Sequence, residues 1–274
     1  MSGANRRRRL SPAETAGLAA HAAAFILAFT DPSLAAVPLT LFVLFCLAAP
    51  FFPTIPVFLP VIVRGRTGAR SVALTFDDGP DPATTPVLLE LLVDRGMTAT
   101  FFVTGERARR HPELVDAILR AGHAVGNHSQ THDPLLMLKG TEALRREIAT
   151  AQEVLRERGV EPLVFRPPVG ITNPRLRSVL DELGLTAVNW TRRAGDRGNR
   201  RVAGLADRIL QNLRPDDIIL LHDIAPPDPA RRQTFFREVA QLLDGLTERG
   251  MTVRPLTGLI GRPTMRWAEP LGPG

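Results

Sequence analysis

The chain of 274 residues contains one cysteine, Cys46. A single thiol excludes both a disulfide framework within the chain and a cysteine-based zinc site. Ionised side chains are almost missing from residues 16–63, where Asp31 is the exception among aspartate, glutamate, lysine and arginine. No internal repeat is visible, which excludes a repeat architecture. The formal net charge is +6, with 34 Lys+Arg against 28 Asp+Glu. No nucleic-acid-binding module accompanies that charge, so a nucleic-acid partner is not expected.

What is present begins with a membrane-like N-terminus. Arg6 to Arg9 precede an apolar stretch over 16–29, Asp31-Pro32-Ser33 marks a turn, and a second apolar run covers 34–63. A transmembrane helix needs about 20 apolar residues. Residues 34–52 meet that length and 12–30 meet it weakly, so one or two transmembrane helices are predicted. A cleaved signal peptide fits poorly, because the apolar region is long and lacks a clear cleavage site. Positive charge on both flanks (Arg64, Arg66 and Arg70 follow the second run) favours a hairpin with both ends inside. A single anchor, which would place the rest of the chain outside, is the alternative. Pro50, Pro53, Pro56 and Pro60 break helical hydrogen bonding and predict an irregular, interface-hugging linker over 51–63.

From Ser71 onward, strands and helices alternate. Buried strands are predicted at 72–76, 99–103, 124–126, 163–165, 186–190, 218–221 and 251–253. Helices are predicted at 84–94, 112–121, 141–158, 174–183, 202–212 and 234–249. The clearest has Leu144, Ile148, Ala151 and Leu155 on one face. Gly96, Gly122, Gly159, Gly184 and Gly250 stand where left-handed helix caps are wanted. The alternation implies an α/β fold with parallel strands, open and doubly wound or closed into a barrel. Three regions result: 1–63, a basic tail and membrane-anchoring segment; 64–261, the soluble domain; and 262–274, an irregular tail.

Four segments at strand ends carry chemistry. In Thr75-Phe76-Asp77-Asp78-Gly79-Pro80, adjacent carboxylates after a buried strand repel unless a cation or shared proton lies between them; a solvated turn is the alternative. In His128-Ser-Gln-Thr-His132, two histidines at i and i+4 share one face of a helical turn. With Asp78 they form a two-histidine, one-carboxylate set that leaves positions open for water and substrate; two solvated histidines are the bland reading. In Phe165-Arg166-Pro167-Pro168-Val169-Gly170, Arg166 can clamp a carboxylate and Val169 N–H, the first free donor after two prolines, suits an oxyanion position. A structural loop with a surface arginine is the alternative. In Ile219-Leu220-Leu221-His222-Asp223, His222 can serve as acid or base, with Asp196 orienting it, or be a core histidine.

Together these segments resemble the polysaccharide deacetylases, the NodB-homology carbohydrate esterases, over residues 70–256. The four motifs also occur in that family's order. The resemblance implies a distorted (β/α) barrel of about seven parallel strands. It implies Asp77 as catalytic base, Asp78, His128 and His132 as metal ligands, and Arg166 as the residue holding the base. It further implies Val169 N–H as oxyanion donor, His222 as general acid and Asp196 as its support. The cofactor implied is a divalent metal: zinc, or cobalt or manganese in its place. Arg197 and Val169 depart from the pattern, since both stand where aromatic residues are common. The implied activity removes an N-acyl group, acetyl or formyl, from an amino sugar in a glycan or lipid-linked saccharide. An inactive carbohydrate-binding protein of the same fold is the alternative. Arg192, Arg193, Arg197, Arg200 and Arg201, in the loop around Asp196, can grip a phosphate on a lipid-linked sugar or form a solvated basic loop. The protein is expected in the cell membrane, with its soluble domain on the cytoplasmic side.

Overall fold

The computed structural model of the chain describes residues 10–226 and 228–268. Arg6 to Arg9 and residues 269–274 lie outside them. In chain order the elements are helices α1 (Pro12–Ala28) and α2 (Ala36–Ala48), strands β1 (Val61–Ile62) and β2 (Ser71–Asp77), helix α3 (Thr85–Val93), β3 (Ala99–Val103), α4 (Gly105–Arg110), α5 (Pro112–Arg120), β4 (Ala124–Asn127), α6 (Thr141–Arg156), β5 (Val160–Pro162), β6 (Val164–Phe165), α7 (Pro174–Glu182), β7 (Thr186–Val188), β8 (Arg192–Arg193), α8 (Leu205–Leu210), β9 (Ile218–His222), α9 (Pro229–Glu248), β10 (Thr252–Val253), α10 (Leu256–Ile260) and β11 (Met265–Trp267). The seven expected strands are all present, with ends displaced by at most two residues.

The main sheet runs β1-β7-β6-β4-β3-β2-β9-β8, with β10 also on β2, and its pairings are parallel. Eight strands lie on this path where about seven were expected. The segment from 186 to 193 contributes two of them: β7 pairs β6, and a few residues later β8 pairs β9. That bend curls the sheet round, because β9 pairs β2 on its other side. The result is a distorted parallel half-barrel.

Side-chain alternation along the strands sorts inside from outside. Ala73, Phe102, Val164, Val188, Trp190, Ile218 and Leu220 form an inner cluster, closed at one end by Leu256 and Leu259 of α10. Val72, Leu74, Phe76, Phe101, Val103, Ile219 and Leu221 point outward against the surrounding helices. Phe76 and Phe101 stack there at 5.0 Å, a geometry worth ~0.5–1.5 kcal/mol beyond area burial. On α6, Leu144, Ile148, Ala151 and Leu155 are all fully buried, as the periodicity predicts. Gly122, at φ 78°, is one of five helix-ending glycines that all take positive φ.

Three expectations are corrected. First, α1 has 17 residues and α2 has 13, and no helix among the described residues is long and apolar enough to cross a membrane. At 1.5 Å per residue they reach only about 26 and 20 Å, short of the ~30 Å hydrocarbon core. The two helices do pack against each other, but as a short hairpin and not as the expected pair of spans. The hairpin docks through Ala13 and Ala49 into a cluster with Leu136, Leu144, Ile148, Phe165 and Leu176. Second, the stretch 51–63 is not an interface linker throughout. Val57, Phe58 and Leu59 are buried in that same cluster, and β1 joins the sheet beside β7. Third, the tail after Gly261 is not irregular throughout, since β11 pairs antiparallel with β5.

Candidate active site

Strand alternation and loop strain bring the chemical residues to one end of the barrel. Asp77 and His222 are Cα partners across β2 and β9, at the C-terminal ends of both strands, where parallel α/β folds place their sites. The loops that follow are forced into sparse conformations. Asp78 (φ 73°), Ser129 (φ 66°), His132 (φ 55°), Val169 (φ 51°) and Arg197 (φ 55°) all take the left-handed region without being glycine. Such strain persists only where the surroundings over-determine it, and it gathers at functional sites.

Arg166 is the keystone beneath the site. It is fully buried and stacks 4.0 Å over the Phe102 ring. Its guanidinium donates to Asp77 Oδ1 at 2.6 Å, Thr75 Oγ1 at 2.7 Å, Asn189 O at 3.1 Å and Val188 O at 3.2 Å. Asp77 is thus fixed in position, with its second oxygen 3.8 Å from His128 Nε2.

The candidate metal-ligand set is assembled differently from the helical turn expected. Residues 128–132 form no helix. Asn127 Oδ1 accepts Ser129 N–H, and Ser129 Oγ accepts His132 N–H, so side chains hold this turn. Asn127 is itself fixed by donating to Ile148 O and Gln152 Oε1. His128 Nδ1 lies 2.7 Å from Arg166 O and donates to it, so the neutral imidazole keeps its lone pair on Nε2. That lone pair faces Asp78 Oδ1 at 3.3 Å, and His132 Nε2 faces the same oxygen at 3.2 Å. Asp78 Oδ1 is buried and accepts no hydrogen bond among the described residues. Three potential ligand atoms converging on one point, all within 4.8 Å of one another, are consistent with a divalent cation. The electrostatics agree. Burial favours neutral Asp78, but the imidazoles, His128 foremost, more than offset this and hold it below the usual carboxylate range. Burial also disfavours charge on His128, yet Asp77 and Asp78 raise its pKa above the ordinary value. The two aspartates thus favour positive charge here, carried by a protonated imidazole or by a bound cation.

On the opposite wall, His222 Nδ1 pairs with Asp196 Oδ2 at 2.8 Å. Burial opposes protonation of His222, but Asp196, then Asp78 and Asp77, push its pKa up to about 9. Val169 N–H has no backbone acceptor among the described residues, and Val169 lines the cavity. A single cavity of about 660 Å³ is lined by Asp77, Asp78, His128, His132, Val169, Asp196 and His222. Seven of the eight candidate residues therefore share one space, and the eighth, Arg166, lies buried behind Asp77.

This geometry stands beside clear relatives. A family model described as polysaccharide deacetylase matches residues 64–188. A chitooligosaccharide deacetylase of Sinorhizobium fredii is 36% identical over 207 residues, 73% of this chain and 96% of the relative. The chain belongs to the polysaccharide deacetylase family. A peptidoglycan-N-acetylglucosamine deacetylase of Bacillus cereus is 37% identical, over 56% of this chain and 73% of the relative. The structure of a family 4 carbohydrate esterase from Streptomyces lividans, in complex with acetate, superposes with a TM-score of 0.61 at 34% identity. It covers 70% of this chain and 97% of that one. The protein is thus an enzyme, a hydrolase of carbon–nitrogen bonds other than peptide bonds, of the polysaccharide deacetylase type.

Three residues of this deacetylase escaped sequence reasoning. Trp190 lines the cavity and restores an aromatic surface where Val169 and Arg197 remove one. It crosses so close to Gly170 (φ 74°) that a β-carbon there would lie 2.5 Å from the indole. Asp223 is fully buried, accepts the hydroxyls of Thr84 and Thr85 at 2.7 and 2.6 Å, and packs against Gly79. Burial foremost raises its pKa to about 7. It fastens the turn that follows Asp78. Asn199 donates to His222 O and Ile224 O, tying the Asp196 loop to β9. An Asp directly after His222 was a signal in the motif; nothing local marked Trp190 or Asn199.

Proposed function

We propose that this enzyme removes an N-acyl group, acetyl or formyl, from an amino sugar of a glycan or lipid-linked saccharide. The relatives' substrates, chitooligosaccharides and peptidoglycan N-acetylglucosamine, make the N-acetyl case the first to test. One observation carries the reading: a candidate base, ligand set, oxyanion donor and acid all face a single cavity. Asp78, His128 and His132 would hold the metal, and two imidazoles with one carboxylate suit zinc, with cobalt or manganese as substitutes. Bound there, it would supply Lewis acidity to polarise the amide carbonyl.

The chain's own residues account for the proton movements. Asp77, locked by Arg166, takes a proton from the attacking water. The water oxygen adds to the acyl carbon, and the resulting oxyanion is met by Val169 N–H. His222, protonated because Asp196 holds its Nδ1, delivers a proton from Nε2 to the departing nitrogen. The carbon–nitrogen bond breaks, leaving a carboxylic acid and a free amino sugar. Asp77→Asn and His222→Ala should each fold and bind zinc while losing most deacylation of an N-acetylated chitooligosaccharide. Near-normal turnover by either would overturn the roles.

The hairpin supports attachment to a membrane surface instead of a crossing. No residue of α2 is buried, and Leu41, Leu44 and Leu47 are exposed. Apolar side chains on a helix lying in the interface would bury against lipid. A hairpin keeps both ends on one side, and the flanking arginines favour the anionic cytoplasmic leaflet in this reading. The full chain should float with anionic vesicles, and the Leu41→Glu, Leu44→Glu, Leu47→Glu variant should not. Equal flotation would reject the attachment.

A further inference from the structure

The loop from Arg192 to Arg201 holds more positive charge than the proposed chemistry uses. Two of its five arginines are elsewhere. Arg192 pairs with buried Asp217 at 2.8 Å, and Arg201 lines an adjoining groove. Arg193, Arg197 and Arg200 are exposed and line the catalytic cavity itself. Among the described residues none of the three guanidiniums has a carboxylate partner. The cavity's own carboxylates are occupied. Asp77 is bound by Arg166, Asp196 by His222, and Asp78 faces the imidazoles.

Three exposed guanidiniums lining one cavity raise its positive potential, which draws anions toward it. The loop is also held in shape. Gly195, Arg197, Gly198 and Asn199 all take positive φ, and Asn199 is fastened to two carbonyls of the β9 end. Arg197 bears the cost of a left-handed conformation. Its side chain replaces the aromatic that the family resemblance leads one to expect. Next to the cavity, Arg200, Arg201 and Arg231 line the adjoining groove and continue the positive surface, with Asp228 the one carboxylate there; it accepts Ala230 N–H at the start of α9.

We propose that Arg193, Arg197 and Arg200 form an anion subsite for a phosphate carried by the acylated amino sugar. This deepens the proposed deacylation and rests on it. Guanidinium forks match phosphate oxygens and remain charged at any working pH. The phosphate has two sources, a soluble sugar phosphate or the headgroup of a lipid-linked sugar. The apolar hairpin lies close by. Pro53, just past α2, accepts a hydrogen bond from Asn189, whose Nδ2 also reaches Gly170 O beside Trp190 and Val169 at the cavity rim.

The test compares three substrates of the zinc-loaded full chain: N-acetylglucosamine methyl glycoside, N-acetylglucosamine 1-phosphate, and the same phosphate esterified to a ten-carbon isoprenyl chain in detergent micelles. Charge-assisted contacts predict about ten-fold or more higher kcat/KM for both phosphates than for the neutral glycoside. In R193Q/R197Q/R200Q that ratio should collapse toward one, mainly through KM. The corresponding lysine variant should retain part of it. Preference for the isoprenyl compound over the soluble phosphate identifies a lipid headgroup, and equality identifies a free sugar phosphate. A wild-type ratio near one, or a ratio unchanged in the glutamine variant, overturns the subsite. If none of the three is deacylated, the proposed function fails. Calorimetric binding of the same compounds then decides the subsite alone, and equal affinities reject it.

Discussion

Replacing Arg166 by Met should separate what the buried pair does for stability from what it does for catalysis. Arg166 is fully buried and Asp77 is 3% exposed, so the substitution leaves a largely buried carboxylate without its counter-charge. It also leaves Val188 O and Asn189 O without their guanidinium donors. Removing one partner of a buried pair costs about 3–5 kcal/mol. For a chain of this size that corresponds to a melting temperature lower by roughly 6–20 °C. Most of the loss comes from the stranded charge and not from the missing attraction. Asp77→Asn in the same background should therefore recover about half or more of the stability, although neither variant should deacylate. Thermal unfolding of wild type, both single variants and the double variant forms a complete cycle. A double variant as unstable as Arg166→Met would refute the idea that Arg166 exists to neutralise Asp77.

Asp196→Asn should move the alkaline limb of activity from about 9 toward the ordinary histidine value near 6.5, because His222 must be protonated to act. The same linkage has a stability signature. The folded value lies above the unfolded one, so the contribution of the His222–Asp196 pair is full below pH ~6.5 and is lost as pH rises through about 9. The melting difference between wild type and Asp196→Asn should shrink over that window, and a constant difference would contradict it. Asp78→Ala and His132→Ala should each abolish stoichiometric zinc uptake, measured by elemental analysis of the dialysed protein. Gly170→Ala should lower stability by ~1–3 kcal/mol and reduce kcat, since its β-carbon would lie 2.5 Å from Trp190 at a positive φ. An unaltered melting temperature would mean that the Trp190 wall is not tightly packed.

How much was legible in the sequence varied with how local the signal was. Strands β2 and β9 are strongly apolar and end in Asp77 and His222, so both strand and site were visible together. Strands β1, β8 and β11 have two or three residues, too few for periodicity to show. His128 and His132 were correctly paired with Asp78, but the helical turn was wrong. The spacing is equally served by a loop, and Ser129 and Asn127 supply the hydrogen bonds a helix would have made. The apolar N-terminus read as membrane-spanning because hydropathy cannot reveal burial. Ala13, Ala49 and Val57 to Leu59 spend part of that apolar surface on the domain itself. Trp190 was placed at a strand end, but which cavity it walls depends on the curl from β7 to β8. Asp223 was seen as a motif's last letter, while its partner Thr84 lies 139 residues away.

The most direct test measures acyl release by the purified wild-type chain from an N-acetylated chitooligosaccharide, with free amine counted in parallel. Metal-dependent deacylation predicts acetate and amine in equal amounts, loss of both on chelation, and return of both when zinc is restored. Zinc-loaded, folded protein that releases neither acetate from this substrate nor formate from its N-formyl counterpart would contradict the account.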